Sequence, residues 1–464
     1  MQTTLSSRSS SESTPPIFRA ATLFLIIGSY VFFIAGLWPG VLAEDSAAVL
    51  RYLDGTTPFS PGKTAFWMTF LECTYGFTKR IEVPIIILAC LCVLVLCRIQ
   101  LYLLNQRFYK SFFFCLFFIS LAPHLIILNI TLIGDGIFAV ATAGLFFELY
   151  TSCKRGHITA FSLVIIILTT SFALMTRTNG LPALIPITFA AYHLCKKDKL
   201  VLAVIVGVNL LALSMLNKAQ GENKPHSAIF PLVIWETINF LQPPVFKLPS
   251  SENRVSQKTI ETLEELNPID HYLKYYDREY WDPLNFDSDG PLVGRFTSQQ
   301  KKILQREFIK RNLPNNLGAF MGSRTHVFFS SALAYSGLPW PTYTLTVLPK
   351  TLSISEARTK DSSPIYKIPD SLYFKSYKYR NILWSPFIAI AILLIAAFKF
   401  SKNPKSIEFV ISLTFLLQLA GIFFFSIASE YRYMSILVFM PMVLLPMLCN
   451  KIAKHQQTDI NHKA

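Results

Sequence analysis

Two adjacent acidic residues, Glu44 and Asp45, follow the first long apolar stretch of the chain. Neighbouring carboxylates repel each other, and this repulsion can raise the pKa of one of them until it serves as a general base. The alternative is a solvated loop with a helix N-cap near Asp45. The pair is therefore a catalytic candidate with a structural alternative.

Asp135 lies in a Gly-Asp-Gly sequence and is the only charged residue between Ser111 and Phe147. Ionisable groups among apolar, membrane-length stretches are energetically costly and are often functional. The same three residues are also typical of a plain turn, which is the structural alternative. Asp135 is a second catalytic candidate.

Two further turns carry arginine beside other polar groups. Arg177 and Asn179 follow one apolar stretch, and Glu430 and Arg432 follow another. The planar guanidinium group can bind a phosphate through two N–H donors, so these turns are candidates for contact with an anionic substrate. The alternatives are an arginine that extends towards lipid headgroups, and a Glu-x-Arg pair that only neutralises itself.

The long polar segment before residue 383 holds weaker candidates. Four basic residues could contact a phosphate or a sugar: His226, Arg324, Arg295 and His326. Three aromatic residues could stack on sugar rings: Trp281, Trp340 and Tyr343. Each could equally be an ordinary surface residue. The sequence has no metal-ligand cluster, P-loop, Gly-x-Ser-x-Gly or dinucleotide-binding fingerprint. We predict no metal ligands and no firmly implied cofactor, and a need for a divalent metal stays an open question.

The elements that must position these residues are apolar helices. Hydrophobic residues make up 52% of the 464 residues, and 39 of these are phenylalanine. Ten apolar runs approach the roughly 20 residues that a helix needs to cross a bilayer, which predicts an all-α polytopic membrane protein. The predicted spans are Ile17–Leu37, Pro84–Leu104, Ser111–Thr131, Ile137–Thr151, Ile158–Met175, Pro182–Cys195, Leu200–Leu216, Leu383–Phe398, Ile407–Ala428 and Met434–Asn450.

Basic residues cluster in alternate connectors, which predicts that both termini are cytoplasmic. The predicted domains are a cytoplasmic tail (1–16), helices one to seven (17–216) with a first external loop (38–83), a large external α-rich loop (217–382), helices eight to ten (383–450) and a cytoplasmic tail (451–464). In the large loop we expect helices at Gln257–Leu266 and Ser298–Arg311, and we expect Ala228–Leu241 to lie along the membrane surface.

This topology brings the four candidate segments to the same, external face of the membrane. The net charge of +15 fits cytoplasmic connectors and affinity for anionic lipids or phosphate-bearing substrates. No basic helix or RNA-binding signature is present, so we exclude nucleic acid as a partner. Carboxylates and guanidinium groups at this face suit a lipid phosphate whose apolar tail lies among the helices.

The four segments resemble the motifs of the GT-C superfamily of integral membrane glycosyltransferases, which use polyprenyl-phosphate-linked sugars. Glu44 and Asp45 match the acidic residues of the first external loop in that family, and Asp135 matches an Asp at the end of the third span. Arg177 to Gly180 is similar to an Arg-rich turn, and Ser429 to Tyr433 resembles a turn of bacterial relatives that modify O-antigen and other surface glycans.

The resemblance implies an inverting sugar transfer in the bacterial inner membrane, from a polyprenyl-phosphate donor to a glycan or glycolipid acceptor. Asp45 would be the general base, with Glu44 as the other choice, and Asp135 would orient the acceptor or share that role. Arg177 and Arg432 would hold the carrier phosphate. The chain departs from the family in its Glu-Asp order and in the position of the large loop after the seventh span.

Two other functions compete with this one. An O-antigen polymerase or ligase also has many spans and a large late external loop, but it relies on Arg and His residues in that loop. A transporter or flippase for lipid-linked sugars would place charged residues and broken helices at mid-membrane and often shows internal repeats. The helix interiors here carry almost no charge, and we find no repeat.

Overall fold

The computed structural model describes residues 15–56, 63–219, 229–242, 255–334, 355 and 364–450. In these ranges the regular structure is helical, and β pairing is limited to two isolated bridges. Seven helices are long and apolar enough to cross a membrane, or eight if one sharply bent pair forms a single span. The protein is therefore an all-α polytopic membrane protein, as predicted.

The first part of the chain has one long apolar helix, two short helices and a second long one. Pro16 occupies the first turn of the first helix, where its missing N–H costs nothing. The Thr64 side chain accepts a hydrogen bond from the Trp67 N–H and so caps the third helix. The helices are α1 (Pro16–Gly36), α2 (Glu44–Leu53), α3 (Ala65–Leu71, continued by a π turn at Glu72–Gly76) and α4 (Glu82–Asn105).

The third predicted span is broken. Helix α5 (Tyr109–Cys115) continues as a π turn to Ser120, and α6 (Pro123–Ile130) then leaves at an angle of 56°. Pro123 lacks an N–H and cannot continue the hydrogen-bond ladder of the preceding turn, so it begins the new helix.

Helix α7 (Gly134–Arg155) is the centre of the membrane domain, since every residue from Asp135 to Ser152 is buried. Its small residues permit this packing. A Cβ atom on Gly144 would lie 2.8 Å from the Val95 side chain, so the glycine lets α4 come close.

The next helices are α8 (Ala160–Met175), α9 (Leu184–His193) and α10 (Lys196–Ala219). With 16 and 10 residues, α8 and α9 are shorter than the roughly 20 residues of a full crossing. A 3-10 turn at Thr178–Ala183 takes up the start of the predicted sixth span. The apolar segments thus fold as helices, while the count of ten crossings stays a prediction.

The large loop has a hydrophobic core of its own around Trp235, Leu263, Tyr272 and Leu304. The two segments that we predicted to be amphipathic helices, Gln257–Leu266 and Ser298–Arg311, are helical. The loop helices are α11 (Phe230–Leu241), α12 (Gln257–Glu264), α13 (Ile269–Lys274), α14 (Pro283–Phe286), α15 (Ser298–Glu307), α16 (Leu313–Asn315), α17 (Leu317–Ser331), α18 (Pro364–Lys378) and α19 (Arg380–Leu383).

Helix α11 corrects one expectation. We predicted that Ala228–Leu241 lies along the membrane surface, but nine of the twelve residues of α11 are buried, with Trp235 among the largest fully buried side chains. The other loop helices cover its apolar faces, so this helix forms the core of the loop.

The chain ends with α20 (Phe387–Ser401), α21 (Ile407–Phe425) and a final apolar stretch, Tyr431–Asn450. This stretch opens with a 3-10 turn at Tyr431–Met434 and continues as α22 (Ser435–Phe439) and further helix up to Asn450. Large apolar side chains on α1, α10 and α20 are exposed, as expected where helices face lipid.

Candidate functional site

Asp45 lies in the first turn of α2 and contacts two cations. Its Oδ2 atom is 2.6 Å from the Arg432 Nη1 atom and 2.6 Å from the Lys63 Nζ atom. Ala43 is the N-cap residue of α2, so Asp45 does not cap this helix. The backbone of Glu44 begins α2, and its side chain lies outside the described part of the structure.

Arg432 connects Asp45 to a second carboxylate. Its Nε atom donates to Glu430, two residues earlier, while its Nη1 atom donates to Asp45, 387 residues away in the sequence. The 3-10 turn at Tyr431–Met434 produces this arrangement, because its tight winding turns Arg432 back over Glu430. The Glu-x-Arg turn therefore does more than neutralise itself.

Asp135 pairs with Arg177 at the start of α7. The Arg177 Nη1 atom donates to the Asp135 carboxylate, which is almost fully buried. A Cβ atom on Gly136 would lie 2.7 Å from the Leu128 carbonyl oxygen, so a glycine is required where α7 begins against α6. The Gly-Asp-Gly sequence is thus a close helix contact that carries an ion pair, and it is not a free turn.

The ring of Tyr433 lies next to both arginines. The guanidinium carbon of Arg177 is 5.2 Å from the ring centroid, and that of Arg432 is 5.5 Å from it. Both distances are in the range of cation–π attraction. One aromatic ring therefore joins the Asp45–Arg432–Glu430 group to the Asp135–Arg177 pair.

Backbone contacts fix these segments to one another. Val41 and Thr131 form a parallel bridge, and the Ser46 hydroxyl donates to the Leu132 carbonyl oxygen at 2.6 Å. The Thr64 hydroxyl donates to the Thr176 carbonyl oxygen at 3.2 Å. The start of α2, the α6–α7 connection and the end of α8 therefore meet at one end of the helical domain.

The large loop adds a segment to this end. Residues 279–281 run antiparallel to residues 427–429: the Ser429 N–H donates to the Glu279 carbonyl oxygen at 2.8 Å, and the Trp281 N–H donates to the Ile427 carbonyl oxygen at 3.3 Å. The next residue is Asp282. This pairing holds Asp282 beside the turn that carries Glu430 and Arg432.

The carboxylates of Asp45 and Asp282 have opposite electrostatic surroundings. Burial acts to raise the pKa of Asp45, but the charges of Lys63 and Arg432 outweigh it and hold the pKa well below its usual value. For Asp282, the surrounding protein and the negative charges of Glu430 and Asp45 raise the pKa to about 6, against weaker opposing effects from the two cations. The Asp282 side chain still reaches solvent.

The other predicted binding residues do not all reach this cluster. The Asn179 side chain donates to the Gln418 Oε1 atom at 3.0 Å, and the Gln418 amide donates back to the Asn179 carbonyl oxygen at 2.7 Å. This exchange joins the 3-10 turn after α8 to α21. Asn179 therefore holds the Arg177 turn in place instead of extending towards a ligand.

Arg324 has no exposed surface. Its guanidinium group pairs with Glu236, donates to the Ser426 carbonyl oxygen and lies 4.8 Å from the Trp235 ring. It therefore connects α17 and α11 of the loop to the end of α21, with no free surface for a substrate.

The remaining loop candidates are scattered. The His326 Nε2 atom is 3.3 Å from the Glu279 Oε1 atom, and Arg295 is exposed in a 3-10 turn. His226, Trp340 and Tyr343 lie outside the described residues. In the described ranges, no group of three or more His, Cys, Asp or Glu side chains is arranged to hold a metal ion.

The chain matches no protein-family model, no curated protein and no solved structure. The resemblance to glycosyltransferases therefore rests on the residues of the turns themselves. Their arrangement supplies two guanidinium groups, a lysine ammonium group and several carboxylates at a membrane-domain end.

Sequence reasoning missed Lys63 and Asp282. Lys63 follows a stretch of turn-forming residues with no distinguishing pattern, and Asp282 is one of several acids between residues 277 and 289. The neighbouring Trp281 was a candidate for sugar stacking, and an acid beside an aromatic residue in a long polar loop is the one local signal that could have drawn attention to Asp282.

Proposed function

We propose that this protein is a membrane glycosyltransferase that moves a sugar from a polyprenyl-phosphate carrier to a surface glycan or lipid acceptor. The single observation that carries the proposal is the contact of Arg177 and Arg432 with one ring, that of Tyr433. Each arginine is also paired with a carboxylate, so both guanidinium groups are held around one aromatic ring at the edge of the helical domain.

Two neighbouring guanidinium groups suit the binding of a phosphate group that leaves with negative charge. A guanidinium group has five N–H donors, and the described carboxylate contacts use Nη1 of Arg177 and Nε and Nη1 of Arg432. The remaining donors are available to phosphate oxygens. Fixed donors aimed at a developing charge are among the largest contributions to catalysis.

The acceptor hydroxyl would lose its proton to a carboxylate of this site. As that proton leaves, the hydroxyl oxygen forms a bond to the anomeric carbon of the sugar, and the bond from that carbon to the carrier phosphate breaks. The carrier departs as polyprenyl phosphate, with Arg177 and Arg432 stabilising its charge. No cofactor or metal is needed for this balance of atoms and electrons.

The proposal includes a topology. Ten crossings with both termini in the cytoplasm would put this site on the outer face of a bacterial inner membrane. The basic residues Lys154 and Arg155 at the other end of α7 support that orientation. At about 1.5 Å per residue, the rise along α7 from Asp135 to Lys154 is roughly 29 Å, so the site and the basic end are well separated.

Mass spectrometry of surface glycolipids tests the proposal. Cells that carry the gene should show a glycan species with one extra hexose or pentose, which cells without the gene lack. Cells that carry the Arg177→Gln variant should resemble the deletion. An unchanged glycan profile at high expression of the intact gene would overturn the proposal, and a change in glycan chain length alone would favour a polymerase.

A further inference from the structure

We infer that Asp282, in the large loop, is the carboxylate that takes the proton from the acceptor hydroxyl. This inference rests on the proposed function, and it moves the role of general base from Asp45 in the first external loop to a residue almost 240 positions later in the chain.

The first reason for this assignment is that the other carboxylates of the site already have partners. A general base needs a lone pair that faces the substrate, and a carboxylate that is held by cations has its oxygen atoms occupied. Three carboxylates of the site are already held in this way: Asp45 by Lys63 and Arg432, Glu430 by Arg432, and Asp135 by Arg177.

Asp282 differs from these three. In the described ranges, its side chain has no ion pair or hydrogen bond with another side chain. Glu279, three residues earlier in the chain, is engaged by His326 and by the Ser330 hydroxyl, which donates to its Oε1 atom at 3.0 Å. Among the carboxylates of this site whose side chains the structure describes, Asp282 is therefore the one that is open to solvent and not held by a partner.

The backbone fixes the position of Asp282. The antiparallel pairing of residues 279–281 with residues 427–429 ends one residue before it, and α14 begins one residue after it. Asp282 is thus held at both sides, next to the turn of Glu430 and Arg432. A base needs such a fixed place because the proton must be within hydrogen-bond reach of it.

The electrostatics of the site agree with this role. The charged groups that act on Asp282 are Glu430 and Arg432 from the 429–432 turn, Asp45 from α2 and Lys63 from the first loop. Partial burial by the surrounding protein is the largest influence and raises the pKa of Asp282. The charges of the two acids outweigh those of the two cations and raise it further, to about 6. A base with this pKa is ionised at neutral pH and still binds a proton well.

Asp45 then becomes a positioning residue. Its contact with Arg432 aims the guanidinium group, and its negative charge helps to keep Asp282 basic. Replacing Asp45 should therefore shift the pH profile of the reaction. Replacing Asp282 should remove the acid limb of this profile, which is the fall in rate at low pH.

The test uses the full-length protein in lipid nanodiscs at pH 5 to 8. The donors are polyprenyl phosphates linked to radiolabelled glucose, galactose, mannose or arabinose, and membranes of cells without the gene supply the acceptor. The variants are Asp282→Asn and Asp282→Glu, with Asp289→Asn as a matched control, because Asp289 is an exposed acid of the same loop. Binding of sugar-free polyprenyl phosphate is measured for each variant.

For the intact protein, we expect kcat/KM to rise with pH and to level off above about 6. Asp282→Asn should lower kcat by roughly 100- to 10,000-fold, the usual contribution of a general base, and should bind polyprenyl phosphate as tightly as the intact protein. Asp282→Glu should restore part of the rate, Asp289→Asn should match the intact protein, and Asp45→Asn should move the acid limb to lower pH.

Two results would overturn the inference while leaving the proposed function in place. The first is an Asp282→Asn variant with normal rate and normal acid limb, and the second is one that no longer binds polyprenyl phosphate, which would make Asp282 a structural residue. If the intact protein transfers none of the four sugars, the proposed function fails, and that outcome is distinct from both.

Discussion

Tyr433 is the residue on which the geometry of the two arginines depends. Its ring contacts both guanidinium groups, and ion pairs with Asp45 and Asp135 also hold those groups. Each arginine thus has an aromatic and a carboxylate neighbour, which limits its motion. Fixed donors of this kind lose less entropy when they bind an anion.

Replacing Tyr433 with leucine should weaken the binding of polyprenyl phosphate by about tenfold. Each cation–π contact contributes roughly 0.5–1 kcal/mol at a partly exposed site, and tenfold corresponds to about 1.4 kcal/mol. Tyr433→Phe is the matched control, because it keeps the ring and should bind normally. Equilibrium binding of polyprenyl phosphate in nanodiscs measures the affinity of both variants. If the leucine variant binds as tightly as the intact protein, the ring does not organise the arginines.

The residue types of the site could be predicted from the sequence, but their partners could not. Asp45 and Arg432 were both candidates, and their contact joins residues that are 387 positions apart. Local pattern holds no information about such a contact. The same reason explains why Asp282 was missed, since the charges that set it apart come from residues 45, 63, 430 and 432.

At the scale of elements, a buried arginine that is ion-paired within the large loop attaches this loop to the membrane domain. Arg324 of α17 pairs with Glu236 of α11 and donates to the carbonyl oxygen of Ser426, just beyond α21. The segment that carries Asp282 then pairs with the following residues, 427–429. The loop is therefore fixed at the point where the chain enters the turn of Glu430 and Arg432.

Arg324→Met should destabilise the protein by roughly 3–5 kcal/mol, because it leaves the Glu236 charge buried and unpaired. Adding Glu236→Leu should recover much of the loss, since no buried charge then remains. Thermal unfolding in detergent measures the difference, with Arg295→Met as the exposed control in the same loop. A single variant as stable as the control would mean that the pair does not hold the loop.

Helices were easier to predict than their surroundings. The ten apolar stretches and the two amphipathic loop segments are helical, because helix type depends on local periodicity and composition. The place of α11 was predicted wrongly, since an apolar helix of this length suits either a membrane surface or a loop core. Its partners in α13, α15 and α17 decided between them, and those partners are distant in the sequence.

At the scale of the whole molecule, polar chemistry is divided between the two ends of the helices. One end holds the arginines of the site, and the other holds a buried cluster in which the Arg98 Nε atom donates to Glu148 at 2.7 Å and Asn450 donates to two tyrosines. Helices α1, α10 and α20 present apolar side chains between these ends. This division fits a protein whose two ends face different compartments.

Thiol labelling of whole cells tests the orientation. Cys73 and Cys195 are both exposed, and the proposed topology puts Cys73 outside and Cys195 inside. The two variants have Cys73 or Cys195 as their single cysteine. A membrane-impermeant maleimide should label Cys73 in intact cells and Cys195 only after permeabilisation. The reverse pattern would invert the topology and would place the candidate site in the cytoplasm.

The most direct test of the central claim is sugar transfer by the purified protein in nanodiscs. The claim is that the joined turns of Asp45, Asp135, Arg177 and Arg432 act together on a polyprenyl-phosphate sugar. The intact protein should transfer radiolabel to acceptor membranes, and Arg432→Lys should lose roughly 100-fold or more in kcat, the typical effect of removing one stabilising donor. Lys405→Gln, at the other end, should have no effect. Transfer that survives unchanged in Arg432→Lys would contradict the account.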